Sequence, residues 1–92
     1  MSNTLVKTWS NHELVINFYA DGSALMAYKE SGMLASFSNI APNMSNMYKY
    51  RPDFMELGYS DQAYVIHEMV LNVDVDTFNR YTGYKFIETK GA

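Results

Sequence analysis

The chain has 92 residues, a formal net charge of −3, 48% hydrophobic and 15% aromatic residues, and no cysteine. This apolar content excludes an intrinsically disordered chain, and the length predicts a single domain, residues 1–92, with one core. Without cysteine there are no disulfides or thiolate metal sites, and no apolar run approaches the ~20 residues that cross a bilayer, so we expect a cytoplasmic protein without a membrane partner.

The N-terminal half is rich in β-branched and aromatic residues, which favour strands. Four strands are predicted, at residues 4–9, 13–20, 23–29 and 33–37. Asp21-Gly22 is typical of a tight hairpin turn and is predicted to supply its positive φ angles. Leu14, Ile16 and Phe18 alternate along the second strand, so they are predicted to share the buried face of an antiparallel sheet.

The C-terminal half is predicted to be mainly helical. Pro42 and Pro52 suit the first turns of two short helices. The main helix is predicted over residues 61–72 with Ser60 as its N-cap, although a strand over residues 63–71 remains an alternative.

A short helical segment and a strand are predicted to close the chain. Asp74 or Asp76 is expected to cap the segment and Gly83 to end it, and residues 84–89 are expected to return to the sheet as a strand. The predicted fold is therefore α+β: an antiparallel sheet of about four to five strands, packed on one face by one main helix and short helical turns.

No motif for catalysis is complete. His12-Glu13 and His67-Glu68 begin like the zinc-protease motif, but Ile16 and Leu71 occupy the positions where that motif needs its second histidine. The glycines are scattered singly, so no phosphate-binding loop is present. We therefore expect no enzymatic activity, no metal and no cofactor.

The segment from Asp53 to Asp76 carries six of the ten acidic residues and none of the seven basic ones. It also contains two tyrosines, a residue type that often anchors protein interfaces. The candidate partner-binding residues are Asp53, Glu56, Tyr59, Asp61, Tyr64, Glu68, Asp74 and Asp76. The hypothesis requires these carboxylates to share an exterior patch that no neighbouring cation neutralises. The alternative is a helix face that is merely solvated.

A short, cysteine-free acidic chain with this charge layout and no catalytic motif resembles the small inhibitor proteins encoded by phages, including anti-restriction DNA mimics of the Arn type. The resemblance rests on length and charge layout, chiefly over residues 53–76. It implies a non-catalytic inhibitor that presents an acidic surface to a basic, nucleic-acid-binding site on a host protein, commonly as a homodimer.

Two alternative functions remain open. The eight tyrosines and seven methionines could bury a second copy of the chain in a structural homo-oligomer. The aromatic and basic segments at residues 47–54 and 79–86 could bind single-stranded nucleic acid weakly through a patch of four cations: Lys49, Arg51, Arg80 and Lys85. Because the net charge is negative, direct nucleic-acid binding is the less favoured.

Overall fold

The computed structural model describes residues 3–90 and confirms the α+β class, with a five-stranded antiparallel sheet and three α-helices within those residues. The contacts divide the described chain into two compact units. Residues 3–35 and 86–90 form the first unit, which holds the sheet, and residues 36–85 form the second, which holds the helices. The prediction of one domain stays a prediction.

The sheet contains five strands in the order β4-β3-β2-β1-β5, with every neighbouring pair antiparallel. Their bounds are β1 Leu5–Ser10, β2 Leu14–Tyr19, β3 Ala24–Tyr28, β4 Leu34–Ala35 and β5 Ile87–Lys90. The return of the last strand to the sheet is confirmed: β5 pairs with β1, although it begins three residues later than predicted.

One face of the sheet is buried, as the alternation in β2 predicted. Leu14, Ile16 and Phe18 are buried on it, and the register places Trp9 of β1 and Met26 of β3 opposite Ile16. The Trp9 ring centroid lies 4.7 Å from that of Phe18. The residues that face one another across neighbouring strands are therefore also the residues that form the core of this unit.

The turns of the first unit differ in detail from the prediction. In the β2–β3 hairpin only Gly22 has a positive φ, +90°, and Asp21 instead accepts hydrogen bonds from the Ser23 amide and hydroxyl. A turn with one left-handed glycine matches a three-residue hairpin loop better than the predicted two-residue one. The fourth strand is two residues long because Ser36 caps a 3-10 turn at Phe37–Asn39, which takes the chain out of the sheet.

The second unit contains three α-helices: α1 Met44–Tyr50, α2 Tyr59–Asn72 and α3 Val75–Thr82. A second 3-10 turn, Phe54–Glu56, precedes α2. The main helix predicted over residues 61–72 is therefore confirmed, and the alternative of a strand over residues 63–71 is wrong. No helix within residues 3–90 is long and apolar enough to cross a membrane.

The structure corrects three predictions about where the helices begin. The prediction of Ser60 as an N-cap is wrong, since α2 begins at Tyr59 after Gly58 and has no side-chain cap. Pro42 and Pro52 lie just outside the short helices, because the N-cap positions are occupied by Asn43 and Asp53. The Asn43 side chain accepts a hydrogen bond from the Asn46 amide, which satisfies one amide at the start of α1.

The third helix begins and ends as the sequence indicated. Of the two predicted caps Asp74 is the one used, and its carboxylate accepts a hydrogen bond from the Thr77 amide at 2.9 Å. Gly83 ends α3 with φ at +81°, and a Cβ at this position would meet the Asn43 Cβ at 3.0 Å. The left-handed backbone conformation favours glycine here, and any larger residue would also require the Asn43 side chain to shift by a few tenths of an ångström.

Candidate partner-binding surface

Helix α2 presents one buried and one exposed face. Val65, Ile66, Met69 and Val70 are buried. At about 100° per residue, Asp61, Tyr64 and Glu68 fall within an arc of about 60° whose centre lies about 140° from the centre of the buried face, and all three are exposed. These three residues are called the α2 stripe. The helical period has therefore gathered three of the eight predicted residues on one surface.

The carboxylates of the α2 stripe have no close cation. Among residues 3–90, no lysine or arginine nitrogen lies within 4.0 Å of either carboxylate. Glu68 accepts a hydrogen bond from the neutral Asn72 amide at 3.2 Å, which holds the carboxylate without offsetting its charge. The hydrogen bond and charge of Asp53 are the main causes that raise the pKa of Arg51, and the charge of Asp61 adds a small further contribution without an ion pair. The stripe therefore satisfies the requirement for un-neutralised charge.

Asp53 does not satisfy that requirement. Its carboxylate accepts a hydrogen bond from the Arg51 Nε at 2.8 Å, and both side chains are exposed. The Arg51 hydrogen bond lowers the pKa of Asp53. Glu56 is exposed in the 3-10 turn and has no such partner among the described residues. The pair formed by Asp53 and Arg51 thus contributes little net charge at this end of the segment.

Asp74 and Asp76 are exposed at the start of α3 rather than on α2. Hydrogen bonds from the Thr77 side chain and backbone lower the pKa of Asp74, and the charge of Arg80 lowers it further. Asp76 lies one turn before Arg80, so the two share a side of the helix. These carboxylates stabilise the start of α3, where the helix dipole favours negative charge.

Tyr59 does not join the α2 stripe. Although it is 71% exposed, it lies about 140 to 160° around α2 from Tyr64 and Asp61. Its hydroxyl donates to the Ser38 carbonyl oxygen at 3.4 Å, beside a cavity of about 30 Å³ that Phe37 and Gln62 help to line. A cavity of this volume is too small for a metabolite. Tyr64, which is 64% exposed, is the tyrosine of the predicted pair that lies with the acids.

Aromatic and basic side chains meet where α1 packs against α3. The rings of Tyr50 and Tyr81 lie 5.2 Å apart, and the Arg80 guanidinium carbon lies 5.8 Å from the Tyr81 ring centroid. Within the predicted basic patch, Arg51 is engaged by Asp53. This aromatic cluster therefore offers stacking surface but only a modest positive field.

The sequence separates an acidic segment, residues 53–76, from the basic residues, but the two structural units are not separated by charge in this way. The second unit holds the six carboxylates of the acidic segment, but also all four cations of the predicted basic patch. Within the second unit, negative charge is concentrated on the α2 stripe and at the start of α3. The candidate surface is thus narrower than the segment from which it was predicted.

An open depression lies in the first unit beside the β1–β2 turn. It has a volume of about 540 Å³ and is lined by His12, Glu13, Tyr28, Glu30 and Ser31. No group of three or more His, Asp or Glu side chains in the described chain is arranged to hold a metal ion. His67, the other histidine, stacks on Phe37 with ring centroids 4.8 Å apart.

Sequence reasoning missed Leu71 as a candidate residue. It is partly exposed, lies three residues after Glu68, and so extends the α2 stripe with an apolar group. The helical period of α2 was the pattern that could have identified it.

No family model matches the chain, and no curated protein or solved structure is significantly similar to it.

Proposed function

We propose that the protein is a non-catalytic inhibitor that binds a basic, nucleic-acid-binding site on another protein through the α2 stripe. The observation that carries this proposal is the exposure of Asp61, Tyr64 and Glu68 on one helix face without an ion-pair partner. The proposed phage origin and the anti-restriction or anti-defence role come from the resemblance in length and charge layout, whereas the proposed cytoplasmic location comes from the lack of cysteine in the sequence.

The carboxylates and the tyrosine have different roles in this proposal. Asp61 and Glu68 increase the rate of encounter with a basic surface, because complementary charges steer association. Tyr64 and the adjoining Leu71 lose water in the complex and slow dissociation, as aromatic and apolar groups do at the centre of an interface. Salt should therefore affect the association rate, and removal of Tyr64 should affect the dissociation rate.

The charge density of the α2 stripe can be compared with that of duplex DNA, the ligand that a DNA mimic replaces. The two carboxylates of the α2 stripe are about 10 Å apart along the helix axis, a length over which duplex DNA presents about six negative charges. The stripe is therefore far less charged than DNA. We therefore propose an acidic surface that attracts the basic partner and a tyrosine that stabilises the complex, and not a charge-for-charge copy of a duplex.

The double substitution D61N/E68Q tests the proposal with little change in shape. We expect wild-type protein on a resin to retain basic nucleic-acid-binding proteins from a nuclease-treated bacterial lysate and to release them as salt is raised. D61N/E68Q should lose most of this capture, because both steering charges are removed. The matched control is E13Q/E30Q, which removes two exposed carboxylates from the first unit. Capture that is equal for both double variants would contradict the proposal.

A second candidate function, weak binding of single-stranded nucleic acid, is favoured by the cluster of Tyr50, Tyr81 and Arg80. Base–aromatic stacking is worth about 1–3 kcal/mol per base, so Y81A should weaken binding of a fluorescent oligothymidine at low salt by about fivefold or more. Anisotropy measures this, with exposed Tyr48→Ala as the control. If wild-type protein does not raise the anisotropy at all, this candidate is excluded and the inhibitor remains.

A further inference from the structure

Within residues 3–90, no strand places a charged side chain on the face of the sheet opposite the buried one. The strand register assigns these residues to it: Leu5, Thr8, Ser10, Val15, Asn17, Tyr19, Leu25, Ala27, Leu34, Ile87 and Thr89. We call this surface the open sheet face. Of the charged residues in the described part of the first unit, Lys7, Glu88 and Lys90 point to the other face, and Glu13, Asp21, Lys29 and Glu30 lie in turns. A solvated sheet face is normally polar, whereas six of these eleven residues are aliphatic.

Large apolar side chains stand at both ends of this face. One row crosses all five strands in the order Ile87, Ser10, Val15, Ala27, Leu34. Its two end residues are 70% and 71% exposed, and Leu25 in the next row is 49% exposed. Water therefore covers apolar groups on both edge strands, an arrangement expected of a surface that is covered in an assembly.

The polar groups near the middle of the face are partly satisfied already. The Thr8 hydroxyl donates to the Asn17 side-chain oxygen at 3.0 Å across the β1–β2 pair. A polar group that already has a protein partner costs less to remove from water than an unpaired one. The face can therefore be covered without strong polar groups on the partner.

We propose that the open sheet face is a homodimer interface in which two copies stack their sheets face to face. A basic or acidic partner finds no opposite charge on this surface, whereas a second copy presents an equally uncharged one. A two-fold axis parallel to the strands places the Leu34 end of one sheet over the Ile87 end of the other, so apolar groups meet in an isologous contact. This proposal uses the first unit and does not depend on the function proposed for α2.

The area of the face sets the strength of the dimer. Five strands at about 4.8 Å spacing, with two to six residues each and about five on average, cover about 24 by 17 Å, or on the order of 600 Å² of accessible surface per copy once side-chain relief is included. The total of about 1,200 Å² lies at the lower limit of specific interfaces. We therefore expect a dimer with a Kd in the micromolar range, insensitive to salt because no charges are involved.

Sedimentation velocity over a concentration series from about 1 to 200 µM, around the expected Kd, tests the proposal. Wild-type protein should shift from monomer to dimer, equally at low and high salt. L25E/I87E should raise the Kd at least tenfold, because each dimer would then hold four carboxylates within an apolar contact. The matched control M55E/Y48E places two glutamates on exposed apolar positions of the second unit and should leave the Kd unchanged. A wild-type monomer at every concentration overturns the proposal, as does a dimer that L25E/I87E leaves intact.

Mixing experiments separate loss of the interface from loss of the fold. L25K/I87K should also be monomeric alone, but an equimolar mixture with L25E/I87E should form a heterodimer, because the two-fold arrangement brings position 87 of one copy near position 25 of the other, so that opposite charges replace like charges. This heterodimer should weaken as salt is raised, unlike the wild-type dimer. Two variants with native circular dichroism that do not associate when mixed would count against the face-to-face arrangement.

Discussion

Replacing Trp9 by alanine is expected to lower the free energy of unfolding by about 3–5 kcal/mol and the Tm by about 15 to 30 °C. The side chain is fully buried, packs on Phe18 and Phe86, and donates its indole N–H to a Glu88 carboxylate oxygen at 2.8 Å. Alanine therefore leaves a cavity and removes a hydrogen bond that links β1 to β5. A chain of this length is stabilised by only about 5–15 kcal/mol in total, so thermal unfolding followed by circular dichroism resolves the change easily.

Two milder variants separate packing from hydrogen bonding at this position. Trp9→Phe keeps an aromatic ring but no N–H, and should cost less than Trp9→Ala. Glu88→Gln keeps an acceptor for the indole but removes the charge that faces Lys7 and Lys90 at 3.6 and 3.2 Å. If Trp9→Phe is as destabilising as Trp9→Ala, packing is not the main contribution of this side chain.

The pH dependence of these variants has a definite sign. The Trp9 hydrogen bond, followed by the interactions with Lys90 and Lys7, lowers the pKa of Glu88. The stabilisation from Glu88 is therefore present above the ordinary pKa of a glutamate, about 4.3, and is lost as the pH falls through the lower folded-state pKa. Wild-type protein should lose more stability than Glu88→Gln on acidification below that point.

The sequence predicts strands and helices well where one local pattern decides the structure. Rules that involve only a few neighbouring residues predict the alternating burial in β2, the N-cap at Asp74 and the end of α3 at Gly83. The start of α2 was misplaced because Ser60 and Asp61 suit a helix terminus, whereas the chain enters the helix at Tyr59. The strand predicted at residues 33–37 shortens because the Ser36 side chain caps a turn, which competes with strand pairing.

The candidate surface was predicted only in part, for a geometric reason. A segment of sequence groups residues by their number, whereas a helix groups them by angle, so Asp61, Tyr64 and Glu68 stay together and Tyr59 does not. Arg51 lies two residues before the acidic segment begins, so a count of the charges within that segment does not include the cation that pairs with Asp53. The open sheet face depends on the register of five strands, which no single strand reveals.

Phe78→Ala is expected to lower the free energy of unfolding by about 3–5 kcal/mol through the second unit. Phe78 is fully buried in α3 and packs edge-on against Tyr84. All three α-helices within the described residues belong to this unit, so the ellipticity at 222 nm reports chiefly on it. The exposed Met55, replaced by alanine, is the control and should change the free energy of unfolding by less than about 0.5 kcal/mol.

The only tryptophan of the chain, Trp9, lies in the first unit, so its fluorescence reports on the sheet while ellipticity reports on the helices. Below about 70–80 residues a single hydrophobic core rarely supplies more than about 3–5 kcal/mol unless disulfides, a metal or oligomerisation add to it, and this chain has no cysteine. Neither unit should therefore persist alone, and in Phe78→Ala both signals should move to one lower denaturation midpoint. A fluorescence midpoint that stays at the wild-type value while the ellipticity midpoint falls would show that the sheet folds independently, against the single domain that the chain length predicts.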